Sequence, residues 1–293
     1  MNGTLQPLWP IYTKLVQLEP TPASALACWR GDEAGARLRE AAVELGAHAE
    51  RRVMLLKNPA LPRPAATHTL VAGLQLLLPG EHAPVHRHTQ AGIRFMLQGR
   101  ARMQVGEETF DVEEGDLVVL PSMTAHGHTG IGEEPALWLD VLDVPTVGFL
   151  GATFSDEGGA LPAAQARAGW RTPLDAARAG LSDTAHASLG RTTRYRSPSG
   201  DDVLPIVRAT LHELPAGMGG AAWRSTASTV WAVVSGQGTL RAGKETLSWG
   251  PRDVFVTPNW SPWALASPAG ATLVSLSDAA MLSKLGLYFE EPA

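Results

Sequence analysis

The pattern of apolar and polar positions changes character twice along the chain. Between residues 32 and 45 apolar residues recur at helical spacing, with Leu38, Ala41, Ala42 and Leu45 on one face and Gly46 placed to stop the helix. Residues 58–66 carry three prolines and read as a connector. From Thr67 the period shortens. Residues 70–78, 93–97, 101–105, 117–120 and 137–141 read as strands, with Pro79-Gly80, Gly99, Gly106 and Glu114-Gly115-Asp116 as turns between them. Residues 155–200, rich in Ala, Gly, Ser and Arg, predict a helical or irregular bridge that ends in a surface turn at 196–202. A second strand-rich block follows from Leu204 to about Ser277, and residues 281–287 predict a short closing helix.

The two strand-rich blocks are copies. Sliding the chain by 137 positions brings Arg87 onto Arg224, Thr89 onto Thr226, Gly99 onto Gly236 and Gly106 onto Gly243. The same shift brings Glu108-Thr109 onto Glu245-Thr246, Asp116 onto Asp253, Val119 onto Val256 and Pro121 onto Pro258. Most coincident positions are turn formers, which must recur if one barrel is closed twice. The expected fold is therefore all-β: two barrels of the double-stranded β-helix (jelly-roll) kind with an N-terminal helical segment. The expected boundaries are 1–60 for an N-terminal arm, 61–150 for the first barrel, 151–200 for a bridge and 201–293 for the second barrel.

Composition narrows the function. The chain has 293 residues, a net charge of −5 and a single Cys. That charge leaves no basic footprint for nucleic acid, and one Cys excludes a disulfide framework or a zinc ribbon. No apolar run approaches membrane-spanning length, and the first 16 residues lack the order of a signal peptide. A cytoplasmic protein is expected. Nine of the residues are His, and five of them (His82, His86, His88, His126 and His128) crowd into the first block.

Their spacing carries chemistry. Gly80-x5-His86-x-His88, with Gly99, and then Gly115-x5-Pro121-x4-His126 has the spacing of the two cupin motifs. His86 and His88, two apart on a strand, share a barrel face, and His126 returns after a Pro-containing turn. Three imidazoles suit a borderline divalent ion such as Fe(II), Ni or Zn. The usual cupin adds a Glu four residues after the second His; here that position is Gly92. Without the carboxylate, three coordination positions stay open for a chelating anionic substrate and dioxygen, which argues against oxalate-type chemistry. In the second copy the ligand positions hold Trp223, Ser225 and Trp263, so that barrel should be metal-free. Its tryptophans read either as apolar filling or as a cofactor-free ligand pocket.

Arg94 is expected on the same face as the histidines. A guanidinium inside a barrel demands a partner, either a substrate carboxylate gripped bidentately or a structural pair with Asp116 or Asp140. His128 shares a face with His126 and could orient substrate, act as acid or base, or cap the barrel mouth. Gly73 and Gln75 lie two apart on the preceding strand, where Gly permits close approach and Gln offers a hydrogen bond.

These residues resemble a known family. The run from Leu77 through Gly80, His86-Arg87-His88, Gly92 and Arg94 to Phe95 is similar to the first-cupin signature of the gentisate 1,2-dioxygenase family, bicupins that include salicylate and 1-hydroxy-2-naphthoate dioxygenases. Residues 138–145, 50–55 with Asn58-Pro59, 226–230 and 275–279 extend the similarity over nearly the whole chain. The resemblance implies Fe(II) on His86, His88 and His126, and substrate contacts from Gly73, Gln75, Arg94, His128 and Arg51. It implies Arg94 and His128 as catalytic groups, ring opening between the carboxyl- and hydroxyl-bearing carbons with O2, and a homotetramer. Where members often carry Trp two residues before the pocket Gly, this chain has Val71. The competing readings are a non-catalytic cupin that binds a small aromatic acid and a metal-dependent isomerase or lyase.

Overall fold

The computed structural model describes residues 3–45, 52–156 and 170–293; Gly46 and Arg51 lie outside them. The predicted helix forms over Gly31–Leu45, with Leu38 fully buried and Ala41 and Ala42 half-buried. The closing helix spans Ala279–Lys284. No described helix is long and apolar enough to cross a membrane.

Each barrel is a six-stranded sheet facing a five-stranded one. In the first, the larger sheet runs in the order Trp170–Thr172, Leu117–Leu120, Gly92–Gln98, Ala136–Leu142, Val71–Leu77 and Val53–Leu55. Facing it are Ser155–Asp156, His82–His88, His126–Gly130, Arg100–Val105 and Glu108–Glu113. The second barrel repeats this arrangement. Its larger sheet is Ala27–Trp29, Val254–Thr257, Thr229–Gly236, Ala271–Ser277, Arg208–Leu214 and Arg191–Arg194, faced by Glu245–Trp249, Gly238–Ala242, Trp263–Ala266, Trp223–Ser225 and Glu290–Pro292.

Two features go beyond the sequence reading. The 137-residue offset holds from Val71–Leu77 onto Arg208–Leu214 as far as His126 onto Trp263, but the last strand starts at Ala136 and Ala271, two residues closer. The loop before it is shorter in the second copy. The other feature is an exchange of edge strands. Ala27–Trp29, which precedes the first barrel, pairs with Val254–Val256 of the second, while Trp170–Thr172, which precedes the second, pairs with Leu117–Val119 of the first.

Side-chain alternation divides the core in three. Ala72, Leu74 and Leu76 pack with Val230, Ala232, Val254 and Leu276 in one continuous cluster, so the two six-stranded sheets lie back to back. Leu77, Met96, Met103 and Trp138 fill the first barrel, and Trp231, Trp249, Phe255 and Trp263 fill much of the second. One turn recurs with its strain intact. Met123 and Trp260, each two residues after the repeated proline, hold left-handed backbone (φ 61° and 54°), unusual for residues with a Cβ. Their amides donate to His88 O (2.8 Å) and Ser225 O (2.6 Å). In the first barrel this turn delivers the chain to His126.

Candidate metal centre and active site

His86 and His88 close one strand, and His126 opens its neighbour, paired in register with His86. The side-chain atoms available as ligands all lie within 4.8 Å of one another. Each ring is oriented by a backbone carbonyl two residues away. Nδ1 of His86 donates to Pro84 O (3.0 Å), that of His88 to Gln90 O (2.8 Å) and that of His126 to Thr124 O (2.9 Å). A carbonyl only accepts, so the proton of each neutral ring sits on Nδ1 and the Nε2 lone pair is left for an ion. Desolvation lowers the pKa of His88 and takes that of His126 down to about 3, which keeps those rings in the neutral, ligating form. The residues therefore fit a divalent metal.

A cavity of about 110 Å³ opens beside the triad. Gly92, Leu120 and Leu142 give it an apolar side; Gln75, Arg94, His128 and Asp140 give it a polar one. Gly92 leaves the position of the usual cupin carboxylate without a side chain, and a Cβ there would lie 3.1 Å from Leu142 Cγ.

Arg94 is not on the histidine strand. It lies on Gly92–Gln98 of the facing sheet and reaches the same interior from the other wall. Of the partners the sequence left open, Asp140 takes it: Nε and Nη2 donate to the carboxylate at 2.8 and 3.2 Å. Asp116 instead pairs with Arg171 at 2.9 Å. The guanidinium also lies 4.5 Å over the Trp138 ring, whose Nε1 donates to Asp140 at 3.0 Å. Arg94 Nη1 is 3.1 Å from Nδ1 of His128. Because Arg donates only, that nitrogen is the acceptor, and the proton of His128 resides on Nε2. His128 is thus the opposite tautomer from the triad. Burial first, and then the charge of Arg94, hold its pKa well below the usual histidine range.

The Gln75 amide nitrogen lies 3.4 Å from His128 Nε2; with the proton on that ring nitrogen, the carboxamide accepts from it only when turned over to offer its oxygen. Gly73 faces the interior but not the cavity: a Cβ there would lie 2.7 Å from Val53 Cγ1, which covers it. Arg51 falls outside the described residues. Its neighbour Arg52 is buried in a bidentate pair with Glu81 (2.6 and 2.8 Å), away from the site. The sequence assigns no role to the site residue Trp138, and Asp140 enters there only as a candidate structural partner of Arg94. The signal for them was period two along Ala136–Leu142, which puts Trp138, Asp140 and Leu142 on one inward face.

A three-histidine centre in one half of a duplicated jelly roll defines a metal-dependent bicupin, and residues 73–142 match the model of the cupin domain. The chain is 32% identical to gentisate 1,2-dioxygenase 1 of Aquipseudomonas alcaligenes, covering 98% of this chain and 92% of that one. It is 31% identical to 5-aminosalicylate 1,2-dioxygenase of Comamonas sp, covering 99% and 87%. The crystal structure of salicylate 1,2-dioxygenase from Pseudoaminobacter salicylatoxidans in adducts with gentisate superposes with a TM-score of 0.87 at 26% identity, covering 98% and 90%. The chain belongs to the gentisate and salicylate 1,2-dioxygenase family of ring-cleaving enzymes.

Proposed function

We propose that the protein is an Fe(II)-dependent dioxygenase that opens the ring of gentisate or a related salicylate between the carboxyl- and hydroxyl-bearing carbons. The observation that carries this reading is the convergence of three oriented Nε2 lone pairs beside Gly92, where no side chain among the described residues completes the ligand set. An ion held by His86, His88 and His126 would keep positions for both oxygens of an ortho-hydroxy acid. Bound there, ferrous iron supplies Lewis acidity and the redox capacity that dioxygen chemistry requires.

The chain's own residues hold and polarise the substrate. His128 lines the cavity as the Nε2–H tautomer, a neutral donor that a substrate oxygen can take over from Gln75 as negative charge develops. Arg94 fixes that tautomer through Nη1 and adds positive potential in a site from which water is largely withdrawn. Asp140 and Trp138 hold the guanidinium in place, so Arg94 acts on a substrate carboxylate through its field as much as by direct grip. Leu120 and Leu142 give the aromatic ring an apolar wall. A homo-oligomer fits the exposed apolar side chains of the N-terminal arm, among them Leu5, Trp9 and Leu18. A cytoplasmic location fits the single free Cys28.

The test is an oxygen-electrode panel on iron-reconstituted protein with gentisate, salicylate, halo- and nitrosalicylates and 1-hydroxy-2-naphthoate. Oxygen uptake with formation of a ring-opened keto acid is expected for at least one, and chelation should abolish it. No uptake with any of them, or turnover without oxygen, would overturn the assignment.

A further inference from the structure

The second barrel contains a cavity of about 160 Å³, larger than the one beside the histidines. It occupies the equivalent place, because Trp223, Ser225 and Trp263 line it at the positions of His86, His88 and His126. A half that had lost its ion and become purely structural would gain most by filling this space with apolar side chains. It has not done so. Trp231, Trp249 and Trp263 belong to the buried core, yet Trp223, Trp231 and Trp263 also border the space left open, with Trp231 and Trp263 edge to face at 5.6 Å between ring centroids.

The opposite wall is polar. Thr192 and Arg194 pair in register with His212 and Thr210, so all four share the face that lines the cavity. His212 donates from Nδ1 to Leu189 O (3.1 Å), which leaves Nε2 as the acceptor of the Ser275 hydroxyl (2.8 Å). Three charged groups line the cavity, Arg194, Arg208 and Glu290, and two are engaged. Arg208 gives Nε and Nη2 to Asp202 at 3.0 and 3.1 Å, and Glu290 accepts from the Tyr288 hydroxyl. Among the described residues Arg194 has neither a hydrogen-bond nor an ion-pair partner, although it lines the same cavity.

We propose that the second barrel binds a small aromatic carboxylate without a metal, the carboxylate on Arg194 and the ring between Trp223, Trp231 and Trp263. A planar guanidinium with no hydrogen-bonded acid matches a carboxylate bidentately. Indole faces around a cavity of this size take a single aromatic ring. Thr210 and the lone pairs of the Ser275 hydroxyl add hydrogen-bonding capacity for a ring hydroxyl. The chain end closes the mouth: Glu290–Pro292 pairs with Trp223–Ser225, and the Thr226 hydroxyl donates to Leu287 O at 2.7 Å. A ligand here would therefore also touch the segment that carries Tyr288 and Glu290.

Equilibrium dialysis of radiolabelled benzoate against the iron-loaded full-length protein under anaerobic conditions tests this. Wild type should bind two equivalents. Arg194→Met should weaken one of them roughly ten- to hundredfold, the scale of a charge-assisted hydrogen bond, and Arg94→Met should leave that same one in place. Unlabelled benzyl alcohol, the uncharged counterpart, should compete poorly for it. A single equivalent in wild type, identical isotherms for wild type and Arg194→Met, or equal competition by benzyl alcohol would overturn the proposal. Arg194 sits at an exposed edge, and matching circular dichroism spectra would show that the variant is folded.

Discussion

The pair Arg94–Asp140 offers the sharpest test of how the catalytic barrel is built. Its side chains are 6% and 13% exposed, and the carboxylate accepts from two guanidinium nitrogens and from Trp138 Nε1. Asp140→Asn removes the charge and leaves Arg94 buried without a counter-ion. Breaking a buried pair from one side costs about 3–5 kcal/mol. The amide keeps one acceptor oxygen, which places this variant near the lower end. For a chain of this size that corresponds to a fall in melting temperature of about 6 °C. Arg94→Met/Asp140→Leu replaces the pair with apolar groups of similar bulk and should recover most of the loss, because neither charge is then stranded. Activity should part from stability. The double variant removes the donor that fixes the His128 tautomer, so its kcat should drop by roughly 10²–10³, the scale for one lost donor to developing charge, even though its stability recovers. Thermal unfolding of the chelated proteins, with steady-state oxygen uptake of the iron-loaded ones, measures both. A loss below about 1 kcal/mol in Asp140→Asn, or a double variant no more stable than the single, would refute the account given of this pair.

Two further outcomes follow from other parts of the fold. Burial pushes the Asp278 carboxyl up to about 6, against the opposing bonds from Thr69 Oγ1 and Ser228 N. The folded state thus keeps a proton that the unfolded chain loses near 3.8, and stability from this group falls as pH rises between those values, by about 3 kcal/mol in all. Asp278→Asn should flatten the pH dependence of the urea midpoint between pH 4 and 6.5 by that order; parallel profiles for variant and wild type would contradict it. Gly99 holds φ +74°, and a Cβ there would lie 2.5 Å from Pro135 O. Gly99→Ala should cost more than about 1 kcal/mol, seen as a lower melting temperature, whereas Gly80→Ala, at φ +77° with nothing within 4 Å, should cost less.

Some of this architecture is written locally and some is not. The turns are local: Gly99, Gly106, Gly236 and Gly243 all take positive φ, which is why the repeat is visible as matched glycines. The strand Glu108–Glu113 escapes a pattern reading because five of its six residues are exposed or half-exposed at the barrel's edge, leaving one buried apolar position. The exchanged strand Ala27–Trp29 is three residues long, and its partners Val254–Val256 lie more than 220 positions away. Nothing in three residues specifies such a pairing. At the site, histidine spacing reveals the ligand set because period two on a strand fixes a shared face. The choice between substrate and Asp140 as partner of Arg94 depends on which neighbouring strand faces it, a tertiary fact. Gly73 looks like a place for close ligand approach from its own strand, but Val53, from a strand added at the sheet's edge, occupies the space.

The exchanged edge strands have a consequence for how the molecule arose and why it keeps both halves. Ala27–Trp29 and Trp170–Thr172 occupy the same place in the two sheets, and each is donated by the segment leading into the other barrel. Two copies of a single-barrel ancestor that clasped each other by reciprocal strand donation would leave this pattern once their genes were joined head to tail. In such a molecule neither half is dispensable, since removing one leaves the other with an open sheet edge and an unpaired arm. The half without the histidine triad thus completes the sheet of the half that carries it. It persists as the clasp of a dimer folded into one chain.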